Sequence, residues 1–190
     1  MGMMFSVAES FNQDLSNWDV SRVTDMGAMF RHAASFNHDL SKWDVSRVSD
    51  MSNMFEGATS FDQTLCGVTW VYSKTPKPNI FKGSRGSISK TVCSTSTPST
   101  NADTIATTTA TPTGTASTTT ATFTSTTTAI FSPKTTKELN QAITSCLQES
   151  PSGDCSKDHG PIGEWDVSRV RTTSGIFAGA ASFNQDLSQW

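Results

Sequence analysis

The chain has no surplus of basic residues, no long apolar run and few histidines. Lys and Arg total 14 against 17 Asp and Glu among 190 residues, a net charge of −3. That balance leaves no basic footprint for a phosphate backbone, so nucleic acid is not an expected partner. No stretch approaches the roughly 20 apolar residues needed to cross a bilayer, so no transmembrane span is expected. Residues 1–6 do not read as a secretion leader, because they belong to the pattern described below. The absence of any Asn-x-Ser/Thr acceptor removes N-linked sugar as a sign of secretion. Neither CxxC nor HxxxH spacing occurs, which argues against zinc. His32, His38 and His159 share no spacing, and no Ser or Cys near them completes a series of nucleophile, base and orienter. No catalytic residue, cofactor or metal site is therefore predicted.

What the chain does have is self-similarity. Residues 11–35 and 36–60 are two copies of a 25-residue pattern, FNxDLSxWDVSRVxDMxxMFxxAxS. Met1, Met4 and Phe5 align with Met26, Met29 and Phe30 and with Met51, Met54 and Phe55, so the chain is expected to begin inside a repeat. The pattern returns at Trp165 and runs through Phe177 and Phe183 to Trp190, again inside a repeat. A fixed period of this length stacks one supersecondary unit on the next, each copy covering the apolar face of its neighbour.

Leu15, Trp18 and Val20 follow LxxLxL spacing, which reads as a short strand with its apolar side chains turned inward. Val23, Met26, Met29 and Phe30 recur at helical spacing, with Ser21 as N-cap and Asp25 in the first turn. The expected fold is thus an α/β repeat, a leucine-rich-repeat-like solenoid with short parallel strands and one short helix per repeat. Its predicted core comprises Phe11, Leu15, Trp18, Val20, Met26, Met29 and Phe30, then Phe36, Leu40, Trp43, Val45, Met51, Met54 and Phe55, with Phe61, Trp165, Phe177 and Phe183. Asn12, Asn37 and Asn184 stand beside the phenylalanine column, where a buried asparagine ladder would satisfy backbone groups.

The segments FNQDLSNWDVSRVTDMGAMF and FNHDLSKWDVSRVSDMSNMF resemble the BspA-like leucine-rich repeats of the mycoplasma-lipoprotein type, found in surface proteins of bacteria and of some unicellular algae. The resemblance covers residues 1–65 and 164–190 and implies a parallel-stranded solenoid displayed outside the cell, binding or adhering without catalysis. The last copy departs from the pattern, with Thr173 where Met26 and Met51 stand.

Between the arrays, residues 94–136 are dominated by Thr and Ser with Pro98, Pro112 and Pro133. Such a composition buries too little apolar surface to offset chain entropy, so a disordered linker is expected, open to O-glycosylation. Residues 1–65 read as repeats, 66–93 as the C-terminal cap of that array, 137–163 as a helical N-terminal cap and 164–190 as the start of a second array. Four cysteines allow three pairings. The two local ones, Cys66 with Cys93 and Cys146 with Cys155, would staple one cap each and imply an oxidising compartment. Four reduced thiols would instead fit a cytosolic protein.

Stacking would align Asp19 with Asp44 and Asp14 with Asp39 into carboxylate columns that could take calcium, or that pair with Arg22 and Arg47. Residues 1–6 also satisfy a myristoylation pattern, although their place in the repeat accounts for them. The Trp column reads as core or as a sugar-stacking platform. Positions that differ between copies are the better place to seek a ligand, because identical ones serve the stack. Asn17, Lys42, Arg31, His32, Asn53 and Glu56 are the candidate binding surface. The expected protein is extracellular or on the cell surface and non-enzymatic, recognising a protein or glycan; a structural spacer in a wall or matrix is the alternative.

Overall fold

The computed structural model describes residues 1–93, 130–155 and 159–190. The linker expected at 94–136 lies, over 94–129, outside the described residues. Regular secondary structure is sparse among the described residues: β1 (Thr64–Leu65), α1 (Val68–Val71), β2 (Ser87–Ile88), α2 (Thr136–Glu149) and a 3-10 turn at Ile162–Glu164. β1 and β2 pair in parallel, Thr64 opposite Ser87. The expectation of one strand and one helix per repeat, and with it the leucine-rich-repeat solenoid, is therefore corrected. Each copy is built from consecutive turns, and only a parallel bridge between Asp25 and Asp50 approaches strand pairing between the copies.

The reason lies in where the backbone N–H groups go. In an α-helix every interior N–H donates to the carbonyl four residues back. Here they alternate. Met4, Ser6 and Ala8 donate three residues back, to Met1, Met3 and Phe5, whereas Met3, Phe5 and Val7 donate to Gly27, Met29 and Arg31 of the next copy at 2.7–2.9 Å. Ala28, Phe30 and His32 then donate to Ser52, Met54 and Glu56, and Asn53, Phe55 and Gly57 to Pro78, Ile80 and Lys82. Alternation of this kind needs left-handed residues in each turn. They fall four apart: Met3 and Val7, Ala28 and His32, Asn53 and Gly57, Asn79 and Gly83, Gly175 and Gly179.

Residues 165–190 do not start an array of their own. Met1–Cys93 and Ile130–Trp190 form one compact unit. Gly175, Phe177 and Gly179 donate to Gly2, Met4 and Ser6, so the last copy in sequence lies in front of the first. The hydrophobic effect drives the stack through two phenylalanine ladders. Phe177, Phe5, Phe30, Phe55 and Phe81 lie 5.5–5.7 Å apart, and Phe183, Phe11, Phe36 and Phe61 lie 6.0–6.2 Å apart. The remaining predicted core positions are buried, with Trp18 half-buried.

Both ends are covered. Behind the stack, α1 brings Trp70 inward, its indole N–H donating to the Leu40 carbonyl at 2.9 Å, and Cys66 is bonded to Cys93. In front, α2 buries Leu139, Ala142, Ile143 and Cys146, and Cys146 is bonded to Cys155. Its N-cap is Thr135, whose Oγ1 accepts the Glu138 N–H at 3.1 Å.

Val7 carries a cost that can be measured. A β-branched residue at φ +61 occupies a region that costs about 1–3 kcal/mol. Its side chain is 37 % exposed, so little packing holds it there. Val7→Gly relieves the strain and loses about 0.5–1 kcal/mol through the more flexible unfolded chain. The net expectation is a melting temperature raised by about 2–4 °C in calorimetry; an unchanged or lower value would place the strain elsewhere.

Candidate functional site: the outward face

The two full copies differ at positions 13/38, 17/42, 24/49, 27/52, 28/53, 31/56, 32/57 and 34/59, and none of these residues is buried. Identity is confined to positions that include every buried one. The turns thus act as a fixed frame on which exposed side chains vary.

One edge of the frame is polar and periodic. Asn184 Oδ1 accepts the Asn12 N–H at 2.9 Å, Asn12 Oδ1 accepts the Asn37 N–H at 3.0 Å, and Asn37 Oδ1 accepts the Asp62 N–H at 2.9 Å. These asparagines bridge the copies from an exposed position, a correction to the buried ladder expected from sequence. Gln13 and Gln63 reach across to the asparagine of the neighbouring copy, and the His38 ring bonds the Asn12 carbonyl at 3.0 Å.

A second edge is charged. Arg31 donates through Nε to Glu56 Oε2 at 2.9 Å, and Lys82 donates to Glu56 Oε1 at 3.0 Å. The two cations hold the Glu56 carboxyl below its ordinary range, the hydrogen bond from Lys82 contributing most and that from Arg31 next. Arg31 and Glu56, singled out as separate recognition positions, therefore occupy each other. His32, Asn17 and Lys42 are exposed, and Asn53 is half-buried, its Oδ1 accepting from Asn79 Nδ2 at 3.3 Å. Lys82 was not legible as a member of this group, because an inserted residue shifts Asn79-Ile80-Phe81-Lys82-Gly83 out of the 25-residue register. Its alignment with Asn53-Met54-Phe55-Glu56-Gly57 is the signal that would have found it.

The aspartates do local work. Asp19 and Asp44 accept the N–H of Ser21 and Ser46 at 3.0 Å, and Asp14, Asp39 and Asp50 accept those of Ser16, Ser41 and Ser52 at 2.8–2.9 Å. Ser21 is thus the closing residue of an Asx turn and not a helix cap. Arg22 makes no ion pair with Asp19 among the described residues, and no group of three or more metal-ligating side chains occurs among them. Hydrogen bonds from the Ser hydroxyl and N–H depress the Asp19, Asp44 and Asp166 carboxyls, and the Ser16 and Ser52 N–H groups lead the same effect on Asp14 and Asp50.

A depressed folded-state value means that the unfolded chain binds the proton more readily. The stabilisation is therefore complete above the ordinary aspartate value of 3.8 and is lost as pH falls through the lower folded values. Melting temperature should hold steady down to about pH 4 and fall below it. Replacing Asp14, Asp19, Asp44, Asp50 and Asp166 together by Asn, which keeps the acceptor and removes the titration, should flatten that fall; an equally steep fall in the variant would assign it to other carboxylates.

No curated protein and no solved structure matches the chain. No helix among the described residues is long and apolar enough to cross a membrane. Residues 1–90 and 152–190, which hold both the stacked turns and the exposed face just described, match the family described as Mycoplasma protein of unknown function, DUF285, and the chain belongs to that family.

Proposed function

We propose that the protein works outside the cell or on its surface as a non-catalytic repeat module of the BspA-like kind, recognising a protein or a glycan through the outward face. The observation that carries this reading is the division of the repeat into an invariant buried frame and variable exposed positions. Packing holds the buried positions identical and leaves the exposed ones free to differ, so a surface that distinguishes a ligand can be built there without disturbing the stack. The extracellular setting is supported by all four cysteines being in disulfides, which persist in oxidising compartments. A spacer role without a specific ligand is favoured by one observation, the mutual pairing of Arg31, Glu56 and Lys82.

Screening the oxidised chain against glycan and protein arrays separates the two. A saturable hit weakened by changes at Asn17, His32 or Lys42 supports recognition; uniformly absent binding favours the spacer. Mass spectrometry of unreduced protein from its native source tests the setting, and free thiols at all four cysteines would overturn it.

A further inference from the structure

One rule joins the stacked copies. Three backbone N–H groups at alternate residues donate to three carbonyls at alternate residues of the copy behind, as Gly175, Phe177 and Gly179 do to Gly2, Met4 and Ser6, and as Asn53, Phe55 and Gly57 do to Pro78, Ile80 and Lys82. This junction occurs four times along the stack, so each copy accepts on its front and donates from its rear.

The series stops with both of its end rows unfinished. At the rear, Asn79, Phe81 and Gly83 stand in the register of Asn53, Phe55 and Gly57, and their N–H groups make no hydrogen bond among the described residues. Asn79 and Gly83 already hold the left-handed φ values of a donor turn, +56 and +77. At the front, Ser174, Ile176 and Ala178 stand in the register of Gly2, Met4 and Ser6, and their carbonyls accept no hydrogen bond among the described residues. Both rows belong to the caps: the rear one lies within the loop closed by Cys66 and Cys93, and the front one runs beside α2.

The caps cover the rings and leave the rows within reach. Asn79, Lys82 and Gly83 are exposed, as are Ser174 and Ala178. The Phe177 ring is buried, but between α2 and the front row a groove of about 440 Å³ stays open, with Ile143, Leu147 and Pro151 on one side and Ile176, Ala178 and Ala180 on the other. Phe81, half-buried, is the apolar residue at the centre of the rear row. Unpaired backbone donors or acceptors in a regular row are a template for another chain.

We propose that the rear row of one chain docks on the front row of a second copy, the N–H groups of Asn79, Phe81 and Gly83 donating to the carbonyls of Ser174, Ile176 and Ala178 across the interface. The occupant is a second copy because donors and acceptors match in number, spacing and register the four junctions that the chain already makes with itself. Two different surfaces meet, so every chain added leaves one row of each kind open, and association runs head to tail without a closing number. Side chains follow the same register. Ala178 shares its position with Arg31, Glu56 and Lys82, which pair along the stack, and docking brings Lys82 of one chain beside Ala178 of the next. The junction does not rest on whatever the outward face recognises.

Sedimentation velocity of the full oxidised chain over a concentration series tests this. The weight-average mass should rise past twice the 20.4 kDa of one chain with no plateau at the dimer. Amide exchange at Asn79, Phe81 and Gly83 should slow over the same range, while that at Asn53, Phe55 and Gly57, already bonded, stays constant. Ala178→Glu, which offers Lys82 a partner, should tighten association about two- to fivefold, and Ala178→Lys should weaken it by a similar factor. Ala178 is exposed, at a position where Arg31, Glu56 and Lys82 carry long charged side chains, so both variants should keep the urea midpoint of the parent. A chain that stays monomeric up to about 1 mM, growth that ends at a dimer, or two variants that shift association in the same direction would each overturn the assignment.

Discussion

Phe30→Ala is expected to remove about 3–5 kcal/mol of folding stability, the range for truncating a buried aromatic. Phe30 is fully buried at the crossing of both ladders: its ring stacks 4.0 Å from Phe36, which opens the following copy, and 5.5 Å from Phe5 and Phe55 on either side. Trp43 closes the fourth side at 6.3 Å. How much of the range is reached depends on whether the site can collapse, and here the backbone opposes collapse. Phe5, Phe30 and Phe55 each donate their N–H to the next copy at 2.8–2.9 Å, which fixes the spacing of the copies independently of the rings between them. The void should stay open, placing the loss toward the upper end. Against a total of about 5–15 kcal/mol for a typical domain, that is enough to leave the variant partly unfolded near ambient temperature. Phe81→Ala, at the half-buried end of the same ladder, should cost distinctly less. Urea denaturation of the two variants checks the order, and equal small losses would mean that the ladder does not hold the stack together.

The ladder was legible because it needs only periodicity. Phenylalanines returning every 25 residues must meet if copies stack, whatever the backbone does between them. The backbone was misread because Met26, Met29 and Phe30 lie three and four apart both in a helix and in a run of turns that bond three residues back. Propensity at other positions distinguishes the two. Asn53 and Gly57, Asn79 and Gly83, and Gly175 and Gly179 occupy the left-handed positions with residue types that tolerate them. In the two turns that come first in sequence those positions are filled by Met3, Val7, Ala28 and His32, which hide the signal. Ser21 and Asp25 misled for a related reason, since Asx turns and helix caps use the same short polar side chains.

The order of the stack was not legible at all. Gly2 and Gly175 are 173 residues apart, and nothing in their local sequence says that one donates to the other's carbonyl. The outward face was half legible. Positions that differ between copies were identifiable as exposed, but the opposite charges of Arg31 and Glu56, 25 residues apart, already implied that a stacked chain would pair them.

Reducing the disulfides is expected to have the second large effect, acting on the two ends of the stack and not its middle. Cys66 and Cys93 close a loop with a sequence separation of 27, and Cys146 and Cys155 one of 9. Loop-closure entropy then gives about 3.6 kcal/mol for the first and about 2.6 kcal/mol for the second. The first loop carries α1 with Trp70, the turn that accepts from Asn53, Phe55 and Gly57, and β2, so opening it should loosen everything that covers the last full copy. The second ties the end of α2 to a loop whose Gly153 lies against the Phe183 ring, leaving no room for a side chain. Cys66→Ser with Cys93→Ser, and separately Cys146→Ser with Cys155→Ser, should therefore lower the urea midpoint in that order. In the first variant, hydrogen exchange should rise at Asn53, Phe55 and Gly57, which donate to the turn that this loop carries, before it rises at Met3, Phe5 and Val7. Uniform loss of protection in both variants would mean that the copies unfold as one cooperative unit with their covers, and that the caps add stability without being the place where unfolding begins.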